Sequence, residues 1–320
     1  MKIKKVLTLI GSGLLVMGLC VGCKSEKAFD EPMDIATLNG PTGMGMTKVI
    51  HDASENYNID IYQSPDEITG KIISGELEVA CVPSNLASVL YNKTDKNISL
   101  IGVNTLGVLY IVENGETVQS IEDLKGTTIL ASGQGSSPEY ILTEILSAAG
   151  LKVGEDVQVK YLANHTEVIN ALLAGESTVA LLPEPHVTIA KNQSEQLRTA
   201  LDLNEAWENQ EKTNLPMGVI IARKDYVDAH PEEMSKFIED YKASVEFVNN
   251  QSEEAAQMMK EVGLFEKPEL AVSAIPNCHI VFEKGKDAKS DLETFYTILQ
   301  NVNPKAIGGN MPDEGFYYGN

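Results

Sequence analysis

The chain has 320 residues, 46 of them acidic and 25 basic, giving a formal charge of −21, and 43% of it is hydrophobic. That apolar share excludes a disordered chain, and the sequence has no series of long apolar runs such as a polytopic membrane protein needs. Lys and Arg concentrate nowhere beyond the first five residues, which excludes a nucleic-acid binder, and the length suits two globular units.

Lys2, Lys4 and Lys5 precede an uncharged run from Val6 to Val21. A membrane-spanning helix needs about 20 apolar residues, so this shorter run, which contains Gly11, Ser12 and Gly13, reads as a signal-peptide core. Gly22-Cys23 at its end resembles the bacterial lipoprotein cleavage box, with Cys20 where leucine is usual. The resemblance implies removal of 1–22, acylation of Cys23 and a lipid anchor, with 23–33 as a polar tether. Cleavage would remove three lysines and no acid, leaving a still more acidic surface. Cys81, in an apolar strand-like run, reads as a buried small hydrophobe, and a disulfide to Cys278 stays open at this stage.

Next comes a unit that occurs twice. Ser64–Pro83 aligns without gaps on Asn164–Pro183, with Glu67/Glu167, Gly75/Gly175, Glu76/Glu176, Val79/Val179, Ala80/Ala180 and Pro83/Pro183 as identical pairs. Each copy opens on an N-cap residue with an acid three positions on, a capping-box arrangement. Apolar residues then recur at helical spacing (Ile68, Ile72, Ile73; Val168, Leu172, Leu173), and Gly75 or Gly175 ends the helix as a left-handed cap. A short apolar strand follows in each and stops at proline. Upstream of each copy a strand runs into a glycine-rich turn and a helix, over Asp34–Ile50 and Thr127–Ile145. Strands alternating with helices at this spacing predict parallel sheets with right-handed crossovers, in two like-built α/β lobes. Leu100–Val112 and Met217–Arg223 read as strands linking the two sheets. Asp225–Lys260 and Ser290–Leu299 read as amphipathic helices that return to the first lobe.

The glycine loops carry the candidate chemistry. Gly40-Pro41-Thr42-Gly43-Met44-Gly45-Met46 has Walker-like glycine spacing, but Met46 stands where the phosphate-binding lysine must be. Ser132-Gly133-Gln134-Gly135-Ser136-Ser137-Pro138 has proline where a dinucleotide fingerprint needs its third glycine. What remains is a pair of loops whose backbone N–H groups, at helix starts, suit an anionic or acceptor group. Glu184, with His186 beside it, follows a buried strand at the carboxyl end where α/β sheets place ligands, and Ser84-Asn85 is its counterpart in the first lobe. Either ligand contact or helix capping suits Glu184. None of the five histidines lies at metal spacing to another, and no G-x-S-x-G elbow is present; surface or satisfied-core roles suit the histidines best.

Leu38-Asn-Gly-Pro-Thr-Gly-Met-Gly45, Val82-Pro-Ser-Asn-Leu-Ala87, Ile121-Glu-Asp-Leu-Lys-Gly126 and Leu181-Leu-Pro-Glu-Pro185 together make the chain resemble type 2 substrate-binding lipoproteins of ABC importers. Within them it resembles the group of alkanesulfonate, taurine, nitrate and thiamine-precursor binders, over Asp34–Asn320. No arginine sits in any of these motifs. The resemblance implies two Rossmann-like lobes with mixed, mainly parallel sheets joined by a two-strand hinge, lobe 1 being 34–106 with 222–320 and lobe 2 being 107–221. It implies capture of a small solute by Gly40, Pro41, Thr42, Gly43, Met44, Ser84, Asn85 and Thr105 on one side. Ser132, Gly133, Gln134, Gly135, Ser136, Glu184 and His186 would meet it on the other. Delivery to permease subunits would follow from an extracytoplasmic, membrane-anchored monomer with no catalytic residue, metal or cofactor. The expectation is therefore a carrier and not an enzyme, with an enzyme or sensor on the same bilobal fold as the alternative.

Overall fold

The computed structural model describes residues 29–52 and 54–319; the 1–22 signal, Cys23 and tether residues 24–28 lie outside the described residues. Phe29 donates its backbone N–H to Asn56 Oδ1 at 3.0 Å and packs edge-on against Tyr57, and Met33 is already buried.

The first half runs β1 (Met33–Leu38), α1 (Pro41–Met44), α2 (Thr47–His51), β2 (Tyr57–Tyr62), α3 (Pro65–Ser74), β3 (Val79–Pro83), α4 (Ser84–Lys93) and β4 (Ile98–Thr105). The chain then crosses to β5 (Leu109–Asn114), β6 (Thr128–Ala131), α5 (Ser137–Ala148), β7 (Gln158–Tyr161), α6 (His165–Leu173), β8 (Val179–Pro183), α7 (His186–Gln193), β9 (Leu197–Asp202) and α8 (Leu203–Glu211). It returns through β10 (Gly218–Arg223), α9 (Lys224–Ala229), α10 (Pro231–Asn250), α11 (Ser252–Glu261), α12 (Pro268–Ala274), β11 (Ile280–Lys284) and α13 (Lys289–Val302).

The repeat folds as its signals dictate. Ser64 caps α3 in a reciprocal capping box with Glu67, and Gly75 ends it at φ 82°. Asn164 accepts from the Glu167 N–H at the start of α6, and Gly175 lies at φ 76° just past its end. Both strands then pair in the same register with their central neighbour: Ile35 faces Val79 and Ala36 faces Ala80, while Ile129 faces Val179 and Leu130 faces Ala180.

The two sheets share one plan. One has the order β11-β4-β10-β3-β1-β2 and the other β7-β6-β8-β5-β9. In each, three strands pair in parallel (β2-β1-β3 and β7-β6-β8), and the next strand is antiparallel and arrives from the other sheet. These two arrivals, β10 beside β3 and β5 beside β8, give both sheets their mixed character. The fold is thus a two-lobed α/β architecture with strand connections between the lobes.

One continuous apolar cluster joins the lobes. Trp207 of α8 is fully buried and meets Phe295 of α13 edge-on, ring centroids 6.0 Å apart. α10 packs on α2 and β11, so most of the late helical block covers the first sheet. Cys81 and Cys278 are both buried free thiols, and burial pushes the Cys81 thiol up to about 12. Cys81 is therefore inert at neutral pH.

Candidate functional site

The carboxyl edges of the two parallel strand triplets face one another. Ser137 Oγ, at the start of α5, donates to Asn85 Oδ1 at the start of α4, 3.1 Å away. Tyr110 OH donates to the Asn277 carbonyl at 3.0 Å, and Asn303 Nδ2 donates to Tyr140 OH at 2.9 Å. Each of these bonds joins a group carried by one sheet to a group carried by the other, so the structure presents the lobes in contact across a narrow seam. Residues 106–108 run along it: Leu106 N–H donates to the His279 carbonyl, and the Gly107 N–H to Asn204 Oδ1.

On the first sheet, Gly40 at φ 127° turns the chain into α1, and Thr42 Oγ1 donates to the Leu38 carbonyl. Gly43 is glycine for a packing reason, since a Cβ there would stand 2.5 Å from the Leu38 carbonyl oxygen. Pro41 and Thr42 are half-buried, while Met44 is fully buried with its sulfur 4.0 Å from Cys278 Sγ. Ser84 is spent on structure: its Oγ donates to the Pro216 carbonyl and its own carbonyl accepts from Tyr296 OH. Asn85 reaches across the seam. Thr105, at the end of β4, is buried beside Gly218, whose absent Cβ leaves room for Thr42 and Asn104.

On the second sheet the loops after β7, β6 and β8 converge, because those three strands are neighbours. Ser132 Oγ lies 2.7 Å from His165 Nδ1, and the His165 ring meets His186 at 4.5 Å between centroids. His186 Nδ1 is buried with no hydrogen-bond partner. Burial holds His186 down to about 4, with its neighbour His165 adding to the effect, and burial lowers His165 as well. Both imidazoles are therefore neutral at pH 7. Glu184 is 3% exposed, and its oxygens accept from the Thr188 N–H (3.1 Å) and Thr188 Oγ1 (3.0 Å), which secures the first turn of α7. Burial raises its pKa against the opposing effect of those bonds.

The loop between Ser132 and Ser137 is exposed at Gly133, Gln134 and Gly135, and both glycines are left-handed, at φ 76° and 78°. A Cβ at Gly133 would stand 2.7 Å from Ser136 Oγ, whereas Gly135 has open space around it. Gly133→Ala is expected to cost about 1–2 kcal/mol for the left-handed conformation alone, and more than Gly135→Ala because of the added contact. Thermal unfolding of the two variants checks this; equal melting temperatures would remove the steric part.

His165 is the residue that sequence reasoning missed. Its role depends on β7 and β8 flanking β6, which brings chain-distant strand ends together. Two absences complete the description. No helix among the described residues is long and apolar enough to cross a membrane, and no group of three or more His, Cys, Asp or Glu among them is placed to hold a metal ion.

Among solved structures, an ABC transporter protein from Parabacteroides distasonis superposes with a TM-score of 0.79 at 25% identity, covering 90% of this chain and 99% of that one. The periplasmic aliphatic sulphonate binding protein of Escherichia coli gives 0.71 at 16%, over 90% and 92%. The periplasmic nitrate-binding protein of Synechocystis gives 0.62 at 11%, over 85% and 82%. These likenesses establish the bilobal periplasmic-binding-protein fold. A comparison with curated proteins found no match. The family model described as menaquinone biosynthesis matches residues 44–301. This match corrects the expectation that the chain is not an enzyme, because the matched family is described by a biosynthetic process. The physical reason is that a cleft shaped to enclose a solute also shields a reaction from water, so the fold alone does not exclude chemistry. Matched over most of its length, the chain belongs to the menaquinone biosynthesis family.

Proposed function

We propose that this chain is the extracytoplasmic solute-binding component of an importer, which closes two lobes around a small organic solute and passes it to a membrane permease. Residues 34–106 with 222–320 form one lobe and 107–221 the other, save that Gly218–Ile221 pair in the first sheet as part of β10 and so belong to the first lobe; the β4–β5 connection and the segment leading into β10 carry the chain between them. The observation that carries this reading is the facing pair of strand edges, each bearing a glycine loop and polar side chains, bridged by Asn85–Ser137 and Tyr140–Asn303. The likeness to an ABC transporter protein, matched over nearly its full length, supports it. Gly40–Met44, Asn85 and Thr105 meet the solute from one side, and Ser132–Ser136, Glu184 and His186 from the other. The solute supplies the differential affinity that favours the closed form. Acylated Cys23 holds the monomer at the membrane, and the tether is shorter than 23–33, since Phe29 already packs on Tyr57 and Met33 opens β1.

A second reading is favoured by the family match and by the Ser132–His165–His186 cluster: the same cleft carries out a step of menaquinone biosynthesis on the solute it encloses. A buried hydroxyl against an imidazole is a pairing suited to proton transfer.

The solute is to be identified by native mass spectrometry of the purified protein and returned to protein stripped by unfolding and refolding. Compaction in X-ray scattering is the expected result. Curves unchanged by every tightly bound solute would sink capture by closure, and conversion of the returned solute into a product would favour the second reading.

A further inference from the structure

α13 meets the second lobe twice. Phe295 packs on Trp207 of α8, and Asn303, the residue that ends the helix, donates its Nδ2 to Tyr140 OH of α5. About one turn before Tyr140, Ser137 Oγ donates to Asn85 Oδ1. Ser137 and Tyr140 stand three residues apart, so they share one face of α5, and both are buried against the first lobe.

The first-lobe half of this arrangement is fixed by bonds of its own. Asn85 Nδ2 donates to the Ala306 carbonyl at 3.2 Å, which leaves its oxygen for Ser137; the Lys305 N–H donates to Asn303 Oδ1 at 3.2 Å, which leaves its amide nitrogen for Tyr140. Each amide therefore has a single orientation that satisfies both of its ends. Lys305 and Ala306 belong to the short 3₁₀ helix Pro304–Ile307. That helix is stapled to α4, where Ser88 Oγ donates to the Ile307 carbonyl and Asn92 Nδ2 to the Ile307 and Asn310 carbonyls. In the second lobe the Tyr140 hydroxyl accepts from Asn303 and donates onward to the Gly135 carbonyl at 3.2 Å, while Glu139 accepts from the Gly135 N–H. Both peptide groups of the exposed glycine loop are thus held from α5, and hydrogen bonds in such a chain polarise one another. Every partner in it is a group of the chain itself.

We propose that Asn85 and Asn303 are a preformed clasp that closes the lobes on the Ser137 and Tyr140 hydroxyls, so that the closed form is already populated before a solute arrives and the Gly135 loop is held from the same hydroxyl. This deepens the solute-binding reading above and rests on it. A solute enters only the open form, so the fraction held shut slows its entry, and the same bonds slow its escape once it is enclosed.

The test reads the distance between the lobes in mature protein stripped of solute by unfolding and refolding. Spin labels on Ile73→Cys in α3 and Val153→Cys in the second lobe, both exposed positions, report that distance; Cys81 and Cys278 are buried, and Cys23→Ser keeps the lipidation site unlabelled. Stripped wild type is expected to show two distances, one of them that of this structure. Tyr140→Phe and Ser137→Ala each remove one oxygen and keep the packing, and each should lower the closed-to-open ratio about fivefold, the worth of one hydrogen bond. The double variant should lower it further. A wild type with no closed population, or an unchanged ratio in the folded double variant, overturns the clasp. Capture by closure fails on a different result, a wild-type ratio and scattering curve that no returned solute moves toward the closed form.

Discussion

Replacing Trp207 by alanine is expected to destabilise the protein by about 3–5 kcal/mol, the range for truncating a large buried aromatic. Trp207 has no exposed surface and meets Phe295 across the junction of α8 and α13, within the apolar cluster that spans both lobes. Its indole Nε1 is buried without a partner, which places the cost toward the lower end of the range. Urea denaturation measures the effect, and a loss below about 1 kcal/mol would show that the junction repacks. Because Trp207 is the only tryptophan of the chain, its emission also reports on the junction. A solute that closes the lobes should change that emission in wild type and leave a Trp207→Phe variant silent.

Acid is expected to destabilise the protein through His186 before most carboxylates titrate. Its folded pKa of about 4 lies below the ordinary 6.5, with burial as the main cause. Between those values the unfolded chain holds a proton that the folded chain refuses, so stability is full above 6.5 and is lost as pH falls toward 4. At 1.36 kcal/mol per pKa unit the loss reaches about 3 kcal/mol. His165, lowered by burial, acts in the same direction. Glu184 acts in the opposite sense: its raised folded pKa contributes stability below the ordinary value of 4.5, lost as pH rises through the folded pKa. Denaturation midpoints from pH 8 to 4.5 for wild type and His186→Gln provide the measurement. The variant should show a flatter profile, and parallel profiles would refute the assignment.

The parts of the fold legible in the sequence were those with local causes. Ser64 and Asn164 as caps, Gly75 and Gly175 as stops, and Val79–Pro83 and Val179–Pro183 as matching strands follow from short-range chemistry. Less legible was the helix after β1, which is one element in the second lobe but splits into α1 and α2 in the first. The break falls at Gly45-Met46, where Gly45 lies against the Tyr241 hydroxyl, a contact that cannot be read from a run of residues. The candidate site was legible in its loops and not in its pairings. Ser132 and His186 stood out by position, but His165 joins them only through strand order, and Glu139 closes the loop only once α5 has formed. Membership of a family described by a biosynthetic process was not legible either, since residues in contact with a carried solute and residues that transform one share the same types and places.

The exchange of strands between the sheets has a consequence for how the protein is made. Gly218 pairs with Pro83, and Ala222 with Val79, so β10 seals β3 with residues that follow it by roughly 135 positions. Until then β3 offers an apolar edge, Val79-Ala-Cys-Val82, with no partner on that side. At typical synthesis rates of about 5–20 residues per second the delay is about 7–27 s. Pairing over so long a loop also raises contact order and slows folding. A nascent or truncated chain ending before β10 therefore leaves β3 open on one side and β4, which pairs only with β10 and β11, without a strand partner, and chaperone holding during production would serve these edges.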